Sequence, residues 1–383
     1  MAGTGRMMAV PAERLTDRVA IGVLVSLVPV SLLDEVLRIS GCADRRRRAL
    51  PARLVIYYVL ALCLLADHNY DQVMRILLDG LSWRSRGSRS WERAPSASAI
   101  SRARARLGSD PLRVLFERMA GPLGEPDAPV ARYRGLRLLS LDGTALDVPE
   151  SEENSAFGYP GDAARFPQVR VFAVAEEGGH ALVDATFGSS AVAERVLAGR
   201  LLRCLRPGTL LAAPARAWSP DLVRRAARTG ADLILELPGP PAASGPAGLS
   251  GLSGPLAGDV LADGTRLCEI AGVPFRVVPT LGLGALATTL TDPVRAPAAE
   301  LAARYAGRWT FDDALTWMRP GWHGRGTVLR SRNPDMVVQE IWALLCVYQA
   351  MRALTCQAGP SRWCACRRAE FAAAESPTKR LSQ

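Results

Sequence analysis

The chain has 383 residues, enough to bury a large core, and the length sets a prior of two or three domains. Its 47 Lys and Arg against 37 Asp and Glu leave a net charge of +10, which favours a polyanionic partner, although an Arg- and Ala-rich composition supplies part of the same excess. Eight cysteines include no paired CxxC clusters, so neither a zinc site nor a secreted disulfide framework is implied, and the lone Cys364-x-Cys366 lacks the second pair that a zinc site needs.

The apolar runs 19–33 and 54–66 are roughly 13 to 15 residues long, below the ~20 that a membrane-crossing helix needs, and Pro29 interrupts the first. Both read as core helices, with no membrane partner. No arginine-led export signal with a small-residue cleavage site stands at the N-terminus, so the expected location is the cytoplasm, on the nucleoid. Leu, Val and Ile recur at helical spacing over 21–36, 50–66 and 70–78, which predicts a helical region across 12–120. Arg45-Arg-Arg-Arg48 lies in a connector before Pro51, either as a solvated charge run or as a phosphate clamp. Ser96 and Ser98 are candidate caps for the next helix, on which Arg102 and Arg106 share a face at i and i+4 while Arg104 points elsewhere. That spacing suits contact with a DNA backbone, against the alternative of a plain solvent-exposed face.

From residue 136 the period changes. Strands are expected over 136–141, 169–175 and 181–187, with Glu176-Glu-Gly-Gly179 turning between the last two. A helix over 191–205 and a strand over 209–213 continue the alternation, and the Pro- and Gly-rich stretch 238–258 reads as a loop. Short strands follow over 275–278 and 287–290, then helices over 297–318 and 336–355, and a tail from 358 with no clear period.

One strand is the chemical focus. Leu138-Leu-Ser-Leu-Asp-Gly-Thr-Ala-Leu-Asp-Val-Pro149 delivers Asp142 to Gly143, which is read as a sharp turn that leaves the carboxylate at a strand end. An ordinary Asp-Gly turn fits the same residues.

The order of segments around that strand resembles the insertion sequence four family of bacterial transposases. The resemblance runs through Leu15-Thr-Asp-Arg-Val-Ala-Ile-Gly-Val-Leu24, Leu50-Pro-Ala-Arg-Leu-Val-Ile-Tyr-Tyr-Val-Leu-Ala-Leu-Cys-Leu64 and Pro95-Ser-Ala-Ser-Ala-Ile-Ser-Arg-Ala-Arg-Ala-Arg-Leu-Gly108. It continues with Phe166-Pro-Gln-Val-Arg170, Gly230-Ala-Asp-Leu-Ile-Leu235, Val328-Leu-Arg-Ser-Arg-Asn-Pro-Asp335 and Gln339-Glu-Ile-Trp-Ala-Leu-Leu345. It implies an α/β (α+β) chain: a helical N-terminal DNA-binding domain over 1–125, a ribonuclease-H-like core beginning at 126–235, a β-rich insertion over 236–296, core helices over 297–357 and a tail over 358–383.

Such transposases use three carboxylates to hold two Mg²⁺ or Mn²⁺ ions ~3.5–4 Å apart for phosphodiester cleavage and strand transfer. Asp142 matches the first acid. The second follows a strand as Asp-Arg-Gly and an aromatic, and the matching segment is Leu210-Leu-Ala-Ala-Pro-Ala-Arg-Ala-Trp218, which places Ala215 where the aspartate belongs. Asp221, six positions on, is roughly 9 Å away at a helical rise of 1.5 Å per residue. The third block is a Tyr, two residues, an Arg, three residues, a Glu, six residues and a Lys on one helix, matched by Tyr305, Arg308, Asp312 and Arg319. Asp312 is one methylene shorter than the glutamate, and Arg319 replaces a compact ammonium with a planar fork. The same residues also fit a plain core helix carrying an i,i+4 surface pair. The resemblance implies a protein of DNA transposition with metal ligands Asp142 and Asp312, and with Tyr305, Arg308, Arg319, Arg102 and Arg106 facing double-stranded DNA at transposon ends. Mg²⁺ or Mn²⁺ is the implied cofactor and a homodimer in a synaptic complex the implied assembly. The eroded acid set leaves open a non-catalytic DNA-binding remnant or host-adopted regulator, and, in a different class, a helical interaction protein whose basic surface is incidental.

Overall fold

A computed structural model describes residues 13–46, 48–65, 67–84, 95–124, 130–161, 163–237, 260–280, 284–318 and 328–357. The expected loop at 238–258, the tail from 358 with its Cys364 and Cys366, and Arg47 and Arg319 lie outside the described residues. The chain divides into two compact units, one of Met1–Met119, Ser151–Asn154 and Leu329–Ala350, the other of Ala120–Glu150, Ser155–Val328 and Met351–Gln383.

The first unit is helical: α1 (Glu13–Leu27), α2 (Val30–Ile39), α3 (Ala52–Leu64), α4 (Tyr70–Arg84), α5 (Ala97–Leu107), α6 (Asp110–Met119) and the body of a long last helix, Pro334–Gln357. The helix expected over 21–36 is two, because Pro29 cannot donate the bond that would continue α1, and the segments bend by 55° there. Among the described residues no single helix is long and apolar enough to cross a membrane. In α3 every residue from Leu54 to Leu62 is buried, so it forms the unit's axis. Ser96 caps α5 by accepting a hydrogen bond from the Ala99 N–H at 3.3 Å.

The second unit is built on one sheet. Its strands are β1 (Arg132–Tyr133), β2 (Leu136–Asp147), β3 (Gln168–Glu176), β4 (Ala181–Ser189), β5 (Thr209–Ala213), β6 (Asp232–Leu237), β7 (Arg266–Ile270), β8 (Val273–Thr280) and β9 (Gly284–Thr288). The helices are α7 (Glu194–Leu201), α8 (Pro220–Ala227), α9 (Ala298–Ala306) and α10 (Phe311–Met318), so the helix ending at Gln357 is α11. The sheet order is β4-β3-β2-β5-β6-β9-β8-β7. β2, β3 and β4 form an antiparallel meander, while β5 and β6 run parallel to β2. A meander whose first strand continues into two parallel strands is the ribonuclease-H-like arrangement. Strands β7 to β9 extend the same sheet from the β6 edge, all antiparallel.

Both faces of this sheet are covered. Leu139 and Leu141 of β2 pack with Phe172, Leu197, Leu201, Leu222 and Val223 under α7 and α8. Leu138, Leu210, Ala212 and Ile234 pack on the other side with Leu301 and Tyr305 of α9. Period-two alternation along β2 therefore sends odd-numbered residues to one layer and even-numbered residues to the other.

Two expectations change here. β2 does not end at Asp142: it runs through to Asp147, with Gly143 paired to Phe172 in register. Glycine is required there by a neighbour and not by a turn, because a Cβ at Gly143 would lie 2.5 Å from the Phe172 ring. The helix expected over 297–318 is also two helices, with Gly307 closing α9 before α10 starts at Phe311. Gly143→Ala should accordingly destabilise the protein by about 1–3 kcal/mol through overpacking, read as a lower urea midpoint, and adding Phe172→Leu should recover part of the loss.

Candidate functional site

The even-numbered residues of β2 meet the segment 309–312 in three successive rungs. At the first, Glu177 accepts from the Ser140 hydroxyl and, at 2.8 Å, from the Trp309 N–H. At the second, the Phe311 N–H donates to Asp142 Oδ2 at 3.0 Å. At the third, the Thr144 hydroxyl donates to Asp312 Oδ1 at 2.9 Å. Asp142 and Thr144 are two residues apart on one strand face, about 7 Å along the strand, so the carboxylates of Asp142 and Asp312 occupy neighbouring rungs. Asp142 also does for α10 what a capping residue does, since it satisfies an N–H of the first turn.

The other oxygen of Asp142 accepts from the Arg216 guanidinium, which also donates to the Gly143 carbonyl at 2.8 Å. Arg216 stands in a 3₁₀ turn, Ala215–Ala217, directly after β5. Its other nitrogen is 3.8 Å from Glu194, and its carbon sits 5.8 Å from the Phe172 ring centre.

Ala215 has no carboxylate to offer, but one reaches its backbone from the next strand. Glu236 Oε2 accepts from the Ala215 N–H at 3.3 Å and from the Tyr305 hydroxyl at 3.0 Å. Parallel pairing of β5 with β6 sets Ala213 opposite Leu235, which brings Glu236 to the end of β5. Sequence reasoning missed Glu236. The signal was an acid inside the apolar strand Asp232-Leu-Ile-Leu-Glu-Leu237, where a charge is expensive unless it has partners. Asp221, weighed from sequence as a substitute acid, is exposed and pairs with Arg224 and Arg225 of its own helix at 3.5 and 3.9 Å.

Tyr305 is wholly buried, so it braces the site from within and does not face a DNA backbone. Burial pushes its hydroxyl far above the usual tyrosine range; the Arg308 charge opposes this and Glu236 reinforces it, so the group remains a proton donor. Arg308 is half-buried, stacks 4.0 Å from the Tyr305 ring centre and donates to the Tyr305 carbonyl at 3.2 Å. Tyr305 and Asp312 lie on different helices, so the single helix face expected to carry Tyr305, Arg308 and Asp312 does not form.

Among the described residues no three Asp, Glu, His or Cys side chains converge on a point where a metal ion could be held. The donor set thus does not fit the cation pair that the resemblance implied: Asp142 is bound through both oxygens, Asp312 is tied to Thr144, and the second acid position carries alanine.

In the helical unit the three arginines of α5 separate. Arg104 is buried and donates to Gln339, Ser331 and the Met336 carbonyl at 3.0–3.2 Å, so it is a core residue and not a surface one. Arg106 is exposed but spends one nitrogen on the Leu50 carbonyl at 3.1 Å, and Arg102 is exposed. Arg45, Arg46 and Arg48 line a concavity of about 590 Å³ with Arg53, Asp34 and Asp44. Asp44 shapes it by accepting from the Ala52 N–H at 2.6 Å and pairing with Arg48 at 3.4 Å.

Residues 18–117 match the family model described as insertion element 4 transposase N-terminal. Transposase InsG for insertion sequence element IS4, from Escherichia coli strain K12, is 26% identical over 345 residues, covering 84% of this chain and 73% of that protein. The putative transposase InsZ of the same strain is 25% identical over 201 residues, 51% of this chain and 64% of that protein. A solved structure, the piggyBac transposase synaptic complex with hairpin DNA, aligns over 92% of this chain and 76% of that one with a TM-score of 0.42 and 8% identity.

Because the Tyr305 hydroxyl is one of two hydrogen-bond donors described for a half-buried carboxylate oxygen, Tyr305→Phe should lower stability by about 1–2 kcal/mol, measured by urea denaturation. Glu236→Gln in the same background should cost less than it does alone, since the two residues share that bond.

Proposed function

We propose that this chain, which resembles the insertion sequence 4 transposases over residues 18–117 and along most of its length, takes part in DNA transposition by binding DNA without cutting it. The observation that carries this reading is Ala215 at the second acid position, next to an Asp142 whose oxygens are already taken. Two divalent cations held by too few carboxylates would be under-coordinated and their charge poorly neutralised. The residues left at the site bind one another: Arg216 holds Asp142, Thr144 holds Asp312, and Tyr305 with the Ala215 N–H holds Glu236.

DNA binding rests on different residues. Arg102 and the Arg45, Arg46, Arg48 and Arg53 concavity present guanidinium groups suited to phosphates, and a polyanion is the partner that the net charge favours. The DNA is double-stranded and the expected target is transposon ends, bound by a homodimer. Loss of chemistry leaves such contacts intact, because counterion release needs only positive charge near phosphate.

Incubated with transposon-end DNA in Mg²⁺ or Mn²⁺, the unaltered protein should leave the strands neither nicked nor joined. Turnover in a gel assay that disappears with Asp142→Asn would refute the non-cutting reading.

Affinity for duplex DNA should fall steeply with salt, by about 0.9 log units per log unit of salt for each phosphate neutralised. Arg102→Ala should flatten that slope by about one and Arg102→Ala with Arg106→Ala by about two. A flat salt response in the parent protein would remove DNA from the reading altogether.

A further inference from the structure

We infer that Arg216 is the resident cation of this site: its guanidinium holds the oxygen donors that a divalent ion would take, and the folded protein therefore needs no divalent ion there. The inference rests on the proposed function, since it concerns the acid beside the position that the resemblance to transposases matches to a second carboxylate.

The donors around Arg216 are those of a hard-cation site. They are a carboxylate oxygen of Asp142, the Gly143 carbonyl and, at 3.8 Å, a carboxylate oxygen of Glu194. A planar guanidinium reaches several such oxygens at once and keeps its charge at any ordinary pH. The Phe172 face beneath it adds an attraction specific to a cation and fixes where the guanidinium lies. Asp142 is the partner that makes the arrangement necessary. Its side chain is 8% exposed against 43% for Arg216, so the acid lies inside the fold while the arginine reaches it from the rim. A carboxylate at that depth needs a counter-charge, and Arg216 is the cation that the structure gives it. Its second oxygen is committed to the first turn of α10, so the charge cannot turn away to find another partner.

Local sequence arranges this. Pro214 ends β5 and the Ala215–Ala217 turn follows at once, which aims residue 216 back along β2. Small residues on both sides of Arg216 leave its side chain free of competing neighbours in the turn. An ion entering at Asp142 would have to expel the guanidinium, leaving it with Glu194 at 3.8 Å as its remaining ion-pair partner.

The test uses the full chain and Mn²⁺ alone. Thermal unfolding of the parent should be unchanged by millimolar Mn²⁺, because an ion that does not bind the folded state cannot stabilise it. Arg216→Ala should lower Tm by about 5–10 °C, since it leaves a buried carboxylate without its cation. In that variant Mn²⁺ should restore part of the loss, and Asp142→Asn combined with Arg216→Ala should abolish the restoration. Should Arg216→Ala not fold, Arg216→Lys keeps a cation in place, and it should fold and remain indifferent to Mn²⁺. The inference is overturned if Mn²⁺ raises the Tm of the parent and Asp142→Asn removes that rise, or if Arg216→Ala melts like the parent and stays indifferent to Mn²⁺. No DNA enters the measurement, so a protein that fails to bind DNA would overturn the proposed function and leave this inference standing.

Discussion

The buried carboxylate of Asp142 joins three parts of the second unit that are far apart in sequence. Its strand is an interior strand of the sheet, its Oδ2 takes an N–H of α10 from 169 residues away, and its Oδ1 takes the arginine of the turn after β5 from 74 residues away. A charge below 10% exposure cannot be left unpaired without a cost of several kcal/mol, so both partners are held to the strand as firmly as the acid is buried. The rungs on either side, Ser140 through Glu177 and Thr144 through Asp312, fix the same segment in register. Just before that segment in the chain, the buried Tyr305 donates its hydroxyl to Glu236.

This dependence on distant partners also explains what could be read in advance. β5 was legible to the residue, and β3 and β4 to within two residues at either end, because a strand buried on one or both faces writes its period into the sequence. Asp142 and Asp312 could be singled out from segment order, and the structure puts them on neighbouring rungs. The break at Gly307 was not legible, because the apolar period runs across it and the cap for α10 comes from a different strand. Gly143 was misread for a similar reason: its neighbour Phe172 is 29 positions away, and nothing local distinguishes a glycine that turns the chain from one that makes room for a ring. Glu236 and Arg104 escaped because their partners lie across the unit, in the Tyr305 hydroxyl and the Gln339 side chain.

The net charge of +10 overstates what is available to a polyanion. Arg104, Arg276 and Arg352 are each at most 3% exposed and bound to internal acceptors, and burial pushes the Arg276 guanidinium below its usual range. Others are held by surface acids, as Arg203 is by Asp184 at 2.6 Å. What remains exposed is a subset, which includes Arg102 and the concavity after α2, where Arg45, Arg46, Arg48 and Arg53 outnumber Asp34 and Asp44. A basic composition thus serves two purposes that sequence alone does not separate, one inside the fold and one at its surface.

An active two-cation site keeps several carboxylates close together with too few hydrogen-bond donors, and it tolerates their repulsion because the ions relieve it. Stability and catalysis oppose each other at such a place. Around Ala215 the acids are each matched to a donor within the fold: Asp142 to a guanidinium and an amide, Asp312 to a hydroxyl, Glu236 to a phenol and an amide. Each of these bonds favours the closed arrangement over one open to ions. An aspartate introduced at 215 would therefore not by itself make a two-cation site, because Arg216 would still hold Asp142 and the new acid would meet Glu236 at the Ala215 backbone. The acids of this site thus contribute to the cohesion of the fold, and several residues share that contribution.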